Sequence, residues 1–310
     1  MPLSTARPYS TPLPTLPDGP PYQCQELSGW IECPFWLTPS DSRLLELHNG
    51  HPAPSPPLEN LEGLRHYWLE HPEWMDMLHP DSPVYTAKNL ERALYLDFWK
   101  DFLPHKIRVL DIGAGVGRLT QIALHNDCEV QAIDPDLRSL WKLLSHAAGG
   151  RGQIDLHWST AECLPALGFF ETVIACEVLN YVEDPVLCLQ QIHKSLHPKG
   201  ILLLSVEARW GWALSNDVAE GTLSSFLETG IIHVPHDRWI RTYTKEELIT
   251  LLKDFDIVSI QPSHYSLSGP FEMIVGQRSI EELLSAEEKL RNHPIAKNLN
   301  RAWMVIAQKR

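Results

Sequence analysis

Apolar and polar positions change period repeatedly along the chain. From residue 107 onward, short apolar runs of strand length alternate with stretches spaced at three and four residues. Runs at Ile107–Ile112, Glu129–Ile133, Ile154–Trp158, Thr172–Cys176, Ile201–Val206, Asp256–Gln261 and Trp303–Gln308 predict strands. Helical spacing covers Arg118–His125, Leu137–Ala148 and Pro185–Leu196. Thr244-Lys-Glu-Glu247 and Ser279-Ile-Glu-Glu282 are capping boxes. In each, a hydroxyl accepts from a first-turn N–H and a Glu three residues on returns the bond. Strands and helices alternating in this way predict an α/β domain with a doubly wound, mostly parallel, seven-stranded sheet and helices on both faces.

The pattern ahead of residue 105 differs. Residues 1–21 carry seven prolines and no periodic apolar positions, so an extended segment is expected. Tyr22, Trp30, Ile31, Phe35 and Trp36 are too apolar for a free tail and predict docking on the body. Pro52-Ala-Pro-Ser-Pro-Pro57 reads as a linker. Leu61, Leu64, Tyr67 and Trp68 then share one helical face, His71-Pro72 breaks it, and Leu90, Ala93, Leu94, Phe98 and Trp99 form a second stripe. The division is therefore 1–58 as a Pro-rich segment, 59–104 as a helical extension and 105–310 as the main domain. The extension either packs on the sheet as core or covers a substrate as a lid.

Composition narrows the function. With 310 residues and 44% hydrophobic content, the chain can bury a large core. A formal net charge of −13 without a basic block makes a nucleic-acid partner unexpected. No apolar run has membrane-spanning length, and the first residues lack a signal-peptide core, so a cytoplasmic protein is expected. Cys24, Cys33, Cys128, Cys163, Cys176 and Cys188 are scattered as reduced thiols usually are. Cys24 and Cys33 lack the second close pair that a zinc knuckle needs.

The stretch with most chemistry is Val109-Leu-Asp-Ile-Gly-Ala-Gly-Val-Gly117. A buried strand carries Asp111 near its end and runs into Gly113, Gly115 and Gly117, with a helix behind. Glycine permits a tight turn and lets a ligand approach the backbone. Strand, glycine loop and helix together form a nucleotide-type site at the end of a parallel strand. Dinucleotide binders use G-x-G-x-x-G. Here the third glycine comes one residue early and Arg118 occupies the remaining position, which counts against a nicotinamide-dependent oxidoreductase.

The motif resembles that of the class I S-adenosylmethionine-dependent methyltransferases, an acidic residue followed by G-x-G-x-G. The likeness extends over residues 105–310 and implies a Rossmann-like methyltransferase fold. Asp134, closing Val130-Gln-Ala-Ile-Asp134, matches the family's ribose ligand, with Pro135 beside it. A carboxylate has two oxygens for the two ribose hydroxyls; an Asp in this place also serves as a turn or cap. Ser159-Thr160-Ala161-Glu162-Cys163-Leu164-Pro165 resembles the adenine segment, with Thr160 where the family has Asp. Thr160 lacks the charge that would strengthen that bond, whereas the Ala161 backbone contact is independent of side chain. Cys176 and Glu177 match the exit of the fourth strand beside the methionine moiety. Leu196-His-Pro-Lys-Gly200 resembles an L-x-P-G-G turn, with Lys199 replacing the first glycine. The resemblance implies that Asp111, Gly113, Ala114, Gly115, Gly117, Asp134, Pro135, Thr160, Ala161, Glu162, Cys176 and Glu177 bind S-adenosylmethionine, with S-adenosylhomocysteine as product.

The acceptor side is less marked. Glu207, Arg209, Trp210 and Trp212 follow the fifth strand, where ligands bind in such sheets. Arg209 suits an acceptor carboxylate or a stacking contact with tryptophan. His233-Val-Pro-His236-Asp237-Arg238-Trp239 offers two imidazoles able to take a proton near neutral pH. His233, His236 and Tyr181 are the catalytic candidates, and Glu207, Arg209, Trp210, Trp239 and Tyr85 the substrate-binding ones. His233, His236 and Asp237 lack a fourth ligand, so no metal is expected. His193 and His197 are expected in one last helical turn, where they suit the dipole. Tyr243, His264, Tyr265, Phe271 and Met273 either line a pocket or fill core. Leu283, Leu284 and Leu290 either shape a pocket or serve a homodimer contact. The function expected is methyl transfer to oxygen or nitrogen of a small-molecule or peptide acceptor, in biosynthesis of a specialised metabolite. Alternatives are a protein or nucleic-acid methyltransferase and a cofactor-binding protein without turnover.

Overall fold

The computed structural model describes residues 23–26, 29–32, 77–147, 150–213, 223–233, 239–267 and 278–310. The proline-rich start, the linker at 52–57 and the helix expected over 59–72 lie outside them. A short antiparallel pair comes first, β1 (Gln23–Glu26) with β2 (Gly29–Glu32). Helix α1 (Tyr85–Trp99) follows. Then come β3 (Arg108–Ile112), α2 (Thr120–His125), β4 (Glu129–Asp134), α3 (Leu137–His146), β5 (Gln153–Trp158) and β6 (Phe170–Cys176). The chain continues through α4 (Pro185–Ser195), β7 (Leu196–Glu207), α5 (Arg209–Ala213), α6 (Leu223–Thr229) and the antiparallel pair β8 (Ile231–His233) and β9 (Trp239–Arg241). It ends with α7 (Lys245–Leu251), β10 (Phe255–Ser263), α8 (Ile280–Asn292) and β11 (Ala302–Lys309).

All seven expected strands join one sheet in the order β10-β11-β7-β6-β3-β4-β5. β5, β4, β3, β6 and β7 are parallel, and β11 lies antiparallel between β7 and β10. Parallel strands buried on both faces need apolar residues at successive positions, which is why they read as continuous runs. Alternate residues of β3 serve opposite layers. Val109 packs with Tyr95, Trp99, Leu124 and Leu140, and Leu110 with Val173, Ile192 and Leu202.

Helix starts follow from caps. Asp136 accepts from Ser139 N at 2.9 Å to open α3, and Asp184 accepts from Leu187 N at 2.9 Å ahead of Pro185. Both capping boxes form, at Thr244 and at Ser279. α4 stops at Ser195, and His197 lies on β7 rather than in the helix with His193. The reason is Pro198, which drives the residue before it out of the helical region. Lys199 follows at φ +65°, in the left-handed conformation that the glycine of the resembling turn would take freely.

α1 is packed against the body. Leu90 and Leu94 meet Leu283 of α8, and Tyr95 and Trp99 sink into the sheet core. Leu283 is thereby used within the chain. Among the described residues, no helix is long and apolar enough to cross a membrane, and no group of three or more His, Cys, Asp or Glu could hold a metal ion.

Candidate active site

The carboxyl ends of β3, β4, β5 and β6 form one rim, and the glycine loop runs along it. Gly113, Gly115 and Gly117 all have positive φ, at 66°, 54° and 93°. A Cβ at Gly113 would lie 2.6 Å from Val178 Cγ2, so that glycine is needed for packing. At Gly115 a Cβ would meet nothing within 4 Å, so this part of the loop faces open space. Ala114 N donates to Ile133 O at 3.0 Å and fixes the loop to β4.

Asp134 ends β4 directly beside the loop. Its two carboxylate oxygens accept from Gly115 N and from Asp136 N, each at 2.8 Å. Burial and the neighbouring Asp136 push this carboxyl up to about 7, while the two backbone N–H bonds hold it back. Asp111 is buried beneath the loop and accepts from Thr120 Oγ1 at 2.6 Å. Burial pushes it to about 7 as well, against the pull of Thr120 and Arg118. Trp158 Nε1 donates to Pro135 O at 3.1 Å, and Thr160 and Ala161 are buried at the end of β5. Glu162 accepts from Glu183 N at 3.0 Å and so ties this segment to the start of α4. The open face at Gly115 and the carboxylate closing β4, beside the buried Thr160–Ala161 segment after β5, offer hydrogen-bonding groups of the kind an adenosyl group requires.

The β6 exit forms a charged corner. Glu177 takes φ +60°, and its N–H reaches Ser205 O at 3.0 Å. Its carboxylate accepts from Tyr95 Oη at 2.6 Å and lies 3.8 Å from Arg118 Nη2. Burial alone would raise this carboxyl, but Arg118, Lys88 and the Tyr95 hydroxyl hold it down at about 2. Arg118 also pairs with Glu91 of α1, which Lys88 Nζ meets at 2.7 Å, and its guanidinium lies 5.0 Å from the centre of the Tyr95 ring. Burial raises the Cys176 thiol to about 12, so it stays protonated. His264 completes the corner with its ring 5.1 Å from that of Tyr95. Tyr95, Lys88, Glu91 and Arg118 were not among the expected site residues. A charged i,i+3 pair on the apolar face of α1 was the available signal.

The expected acceptor residues gather around the end of β7. Glu207 is buried and accepts from Arg301 Nε at 2.8 Å; burial raises its carboxyl although Arg301 opposes this. The Arg301 guanidinium stacks 3.7 Å from the centre of the Trp212 ring. Arg209 is engaged by both oxygens of Glu247, at 2.6 and 2.8 Å. Trp210 is half exposed and meets Phe226 edge-on. Tyr181 packs against the cluster of Trp212, Phe226, Ile232 and Ile240. Asn180, between Glu177 and this cluster, accepts from Glu207 N at 3.0 Å and joins the two halves. His233 and Trp239 pair across β8 and β9, Tyr85 begins α1, and His236, Phe271 and Met273 lie outside the described residues.

A glycine loop between the first parallel strand and its helix, a carboxylate closing the next strand, and an antiparallel seventh strand inserted beside the fifth define the class I S-adenosylmethionine-dependent methyltransferases. The chain belongs to the methyltransferase domain family, whose profile matches residues 63–261. It is 29% identical over 192 residues to a ubiquinone biosynthesis O-methyltransferase of Ruegeria pomeroyi, covering 60% of this chain and 75% of that protein. A protein of the same description from Dinoroseobacter shibae is 30% identical over 193 residues, with 58% and 75% covered. In fold the chain is similar to the 1,6-didemethyltoxoflavin-N1-methyltransferase of Burkholderia thailandensis, solved with S-adenosylhomocysteine, at a TM-score of 0.52 and 20% identity over 83% of this chain and 92% of that one. The protein is an S-adenosylmethionine-dependent methyltransferase.

Proposed function

We propose that the protein methylates an oxygen of a small-molecule acceptor, with a phenolic hydroxyl as the group modified and a specialised metabolite as the product class. What supports oxygen as the methylated atom and a small molecule as the acceptor is the 29–30% identity to relatives described as ubiquinone biosynthesis O-methyltransferases, over three quarters of their length. The site supports it. α5, α6, β8 and β9 stand over the end of β7 with an aromatic cluster, which favours an enclosed acceptor over a flat macromolecular surface.

In this reading residues 105–310 form the catalytic domain, with 59–104 as its helical extension and 1–58 as a separate segment. Asp111, Gly113, Ala114, Gly115 and Gly117 would line the cofactor, with Asp134 and Pro135 at the ribose, Thr160, Ala161 and Glu162 at the adenine, and Cys176 and Glu177 beside the methionine moiety. The cofactor supplies an already electrophilic methyl group. The chain's own task is to hold the acceptor in line with it, exclude water and accept a proton. Glu207, Arg209, Trp210, Trp239 and Tyr85 would bind the acceptor, with Tyr181, His233 and His236 as the catalytic candidates.

Titrating S-adenosylhomocysteine into wild type and Asp134→Ala by calorimetry tests the cofactor half. Loss of one charged partner predicts affinity weaker by about tenfold to a hundredfold. Incubating wild type with S-adenosylmethionine and catechol, followed by mass spectrometry, tests the acceptor half. A singly O-methylated product is expected. A protein that binds the cofactor yet leaves catechol unmodified would not support a phenolic acceptor.

A further inference from the structure

Among the described residues, His264 combines burial with a polar ring that has no hydrogen-bond partner. It follows β10 directly. The end of β10 is level with the end of β7, because Ser263 pairs with Ala302 and Ala302 with Glu207. His264 therefore stands on the carboxyl rim that carries the cofactor corner. Its imidazole is buried at 2% exposure, and among the described residues neither ring nitrogen has a hydrogen-bond partner. Its backbone is at φ +63°, a left-handed conformation uncommon for any residue but glycine. Two unfavourable features thus coincide in one residue, and such coincidences concentrate at functional sites. The nearby Ser263 and Ser266 hydroxyls are likewise buried and without a hydrogen-bond partner among the described residues.

The neighbours show what the ring faces. The Tyr95 ring meets that of His264, the Tyr95 hydroxyl donates to Glu177, and Arg118 lies over the Tyr95 ring. Glu91 from α1, Arg118 ahead of α2, Glu177 at the β6 exit and Glu287 of α8 all act on the imidazole. Burial nevertheless dominates and lowers its pKa below the usual 6.5, so the ring is neutral at pH 7. A neutral imidazole has one donor and one acceptor nitrogen. Glu177, already ionised and fully engaged, is a poor proton acceptor.

We propose that His264 binds the hydroxyl of the methyl acceptor and takes its proton during transfer. This role rests on the O-methylation reading above. The hydroxyl proton passes to the unprotonated ring nitrogen as the oxygen lone pair forms the new O–C bond. The C–S bond breaks with its electron pair remaining on sulfur. The imidazolium then gives up the proton once the methylated product leaves and water reaches the ring, which the depressed pKa favours.

The test compares wild type with His264→Asn, which tolerates a left-handed φ, and His264→Gly. Both variants are expected to bind S-adenosylhomocysteine within about threefold of wild type. Catechol methylation is expected to fall about a hundredfold or more. Added imidazole should restore part of it in His264→Gly. In wild type, kcat/KM should drop as pH falls through the depressed pKa, below the usual 6.5. In ¹⁵N-histidine spectra of protein loaded with S-adenosylhomocysteine, the signal lost in His264→Asn should shift when catechol is added. Turnover by His264→Asn within about threefold of wild type, a His264 signal unmoved at saturating catechol, or variants that melt lower and lose cofactor binding would each assign His264 to the core alone. If wild type binds the cofactor but neither binds nor methylates catechol, the phenolic reading fails and this role falls with it. Active wild type with an equally active variant removes only the role.

Discussion

Asp111 and Asp134 end neighbouring parallel strands, and burial holds both carboxyls near 7, far above the usual 3.8. A folded-state pKa above the unfolded value means that the folded state binds more protons between the two values. Stability without cofactor should therefore be greatest at low pH on this account and decline as pH rises from about 4 through 7. Asp111→Asn keeps an oxygen for the Thr120 hydroxyl and removes the charge. Its melting point should exceed that of wild type at pH 8, by an amount equivalent to roughly 2–4 kcal/mol, and the gap should close as pH falls. Differential scanning across this range checks the sign; a gap that widens toward acid would refute it. The glycines and Asp134 were legible in the sequence because their chemistry is local: a backbone turn, and a carboxylate at a strand end. Tyr95 was not, and His264 was legible only as a residue that either lines a pocket or fills core. Tyr95 meets Glu177, which is 82 residues away in the chain. Nothing near His264 in sequence announces a ring without partners.

At the scale of elements, α1 is held to the glycine loop by charge as well as by packing. Glu91 lies between Lys88 and Arg118, and Arg118 reaches on to Glu177. These groups are largely removed from water, so deleting one partner costs more than the pair contributes. Arg118→Ala should destabilise the protein by about 3 kcal/mol in denaturant unfolding. In hydrogen exchange the α1 amides should lose more protection than those of β3 or β4. Uniform loss across the sheet would argue instead for a general packing defect. The long elements were readable because buried parallel strands and capped helices carry strong local patterns. β8 and β9 have three residues each, and α5 has five. Such short pieces hold their shape through contacts from elsewhere, such as Arg241 N to Asn180 O at 2.8 Å and Thr242 Oγ1 to Gly230 O at 2.6 Å. Their own sequence therefore contains little of the reason they form.

For the molecule as a whole, β11 is the piece on which closure of the sheet depends. It pairs with β7 from Glu207 to Ile201 on one side and with β10 from Ser263 to Phe255 on the other. Val305, Ala307 and Met304 also fill both core layers. A chain ending before Ala302 should be insoluble or lack the cooperative melting transition of the full chain, and circular dichroism during a melt checks this. Retained cooperativity would show that β7 and β10 can pair without it. The order of pairing also matters while the chain is being made. A ribosome releases β7 long before β11, and until then one side of the nascent sheet presents an unsatisfied hydrogen-bonding edge. Synthesis therefore passes through an interval in which the growing polypeptide is most exposed to self-association. A chaperone holding β7 would be most useful in that interval.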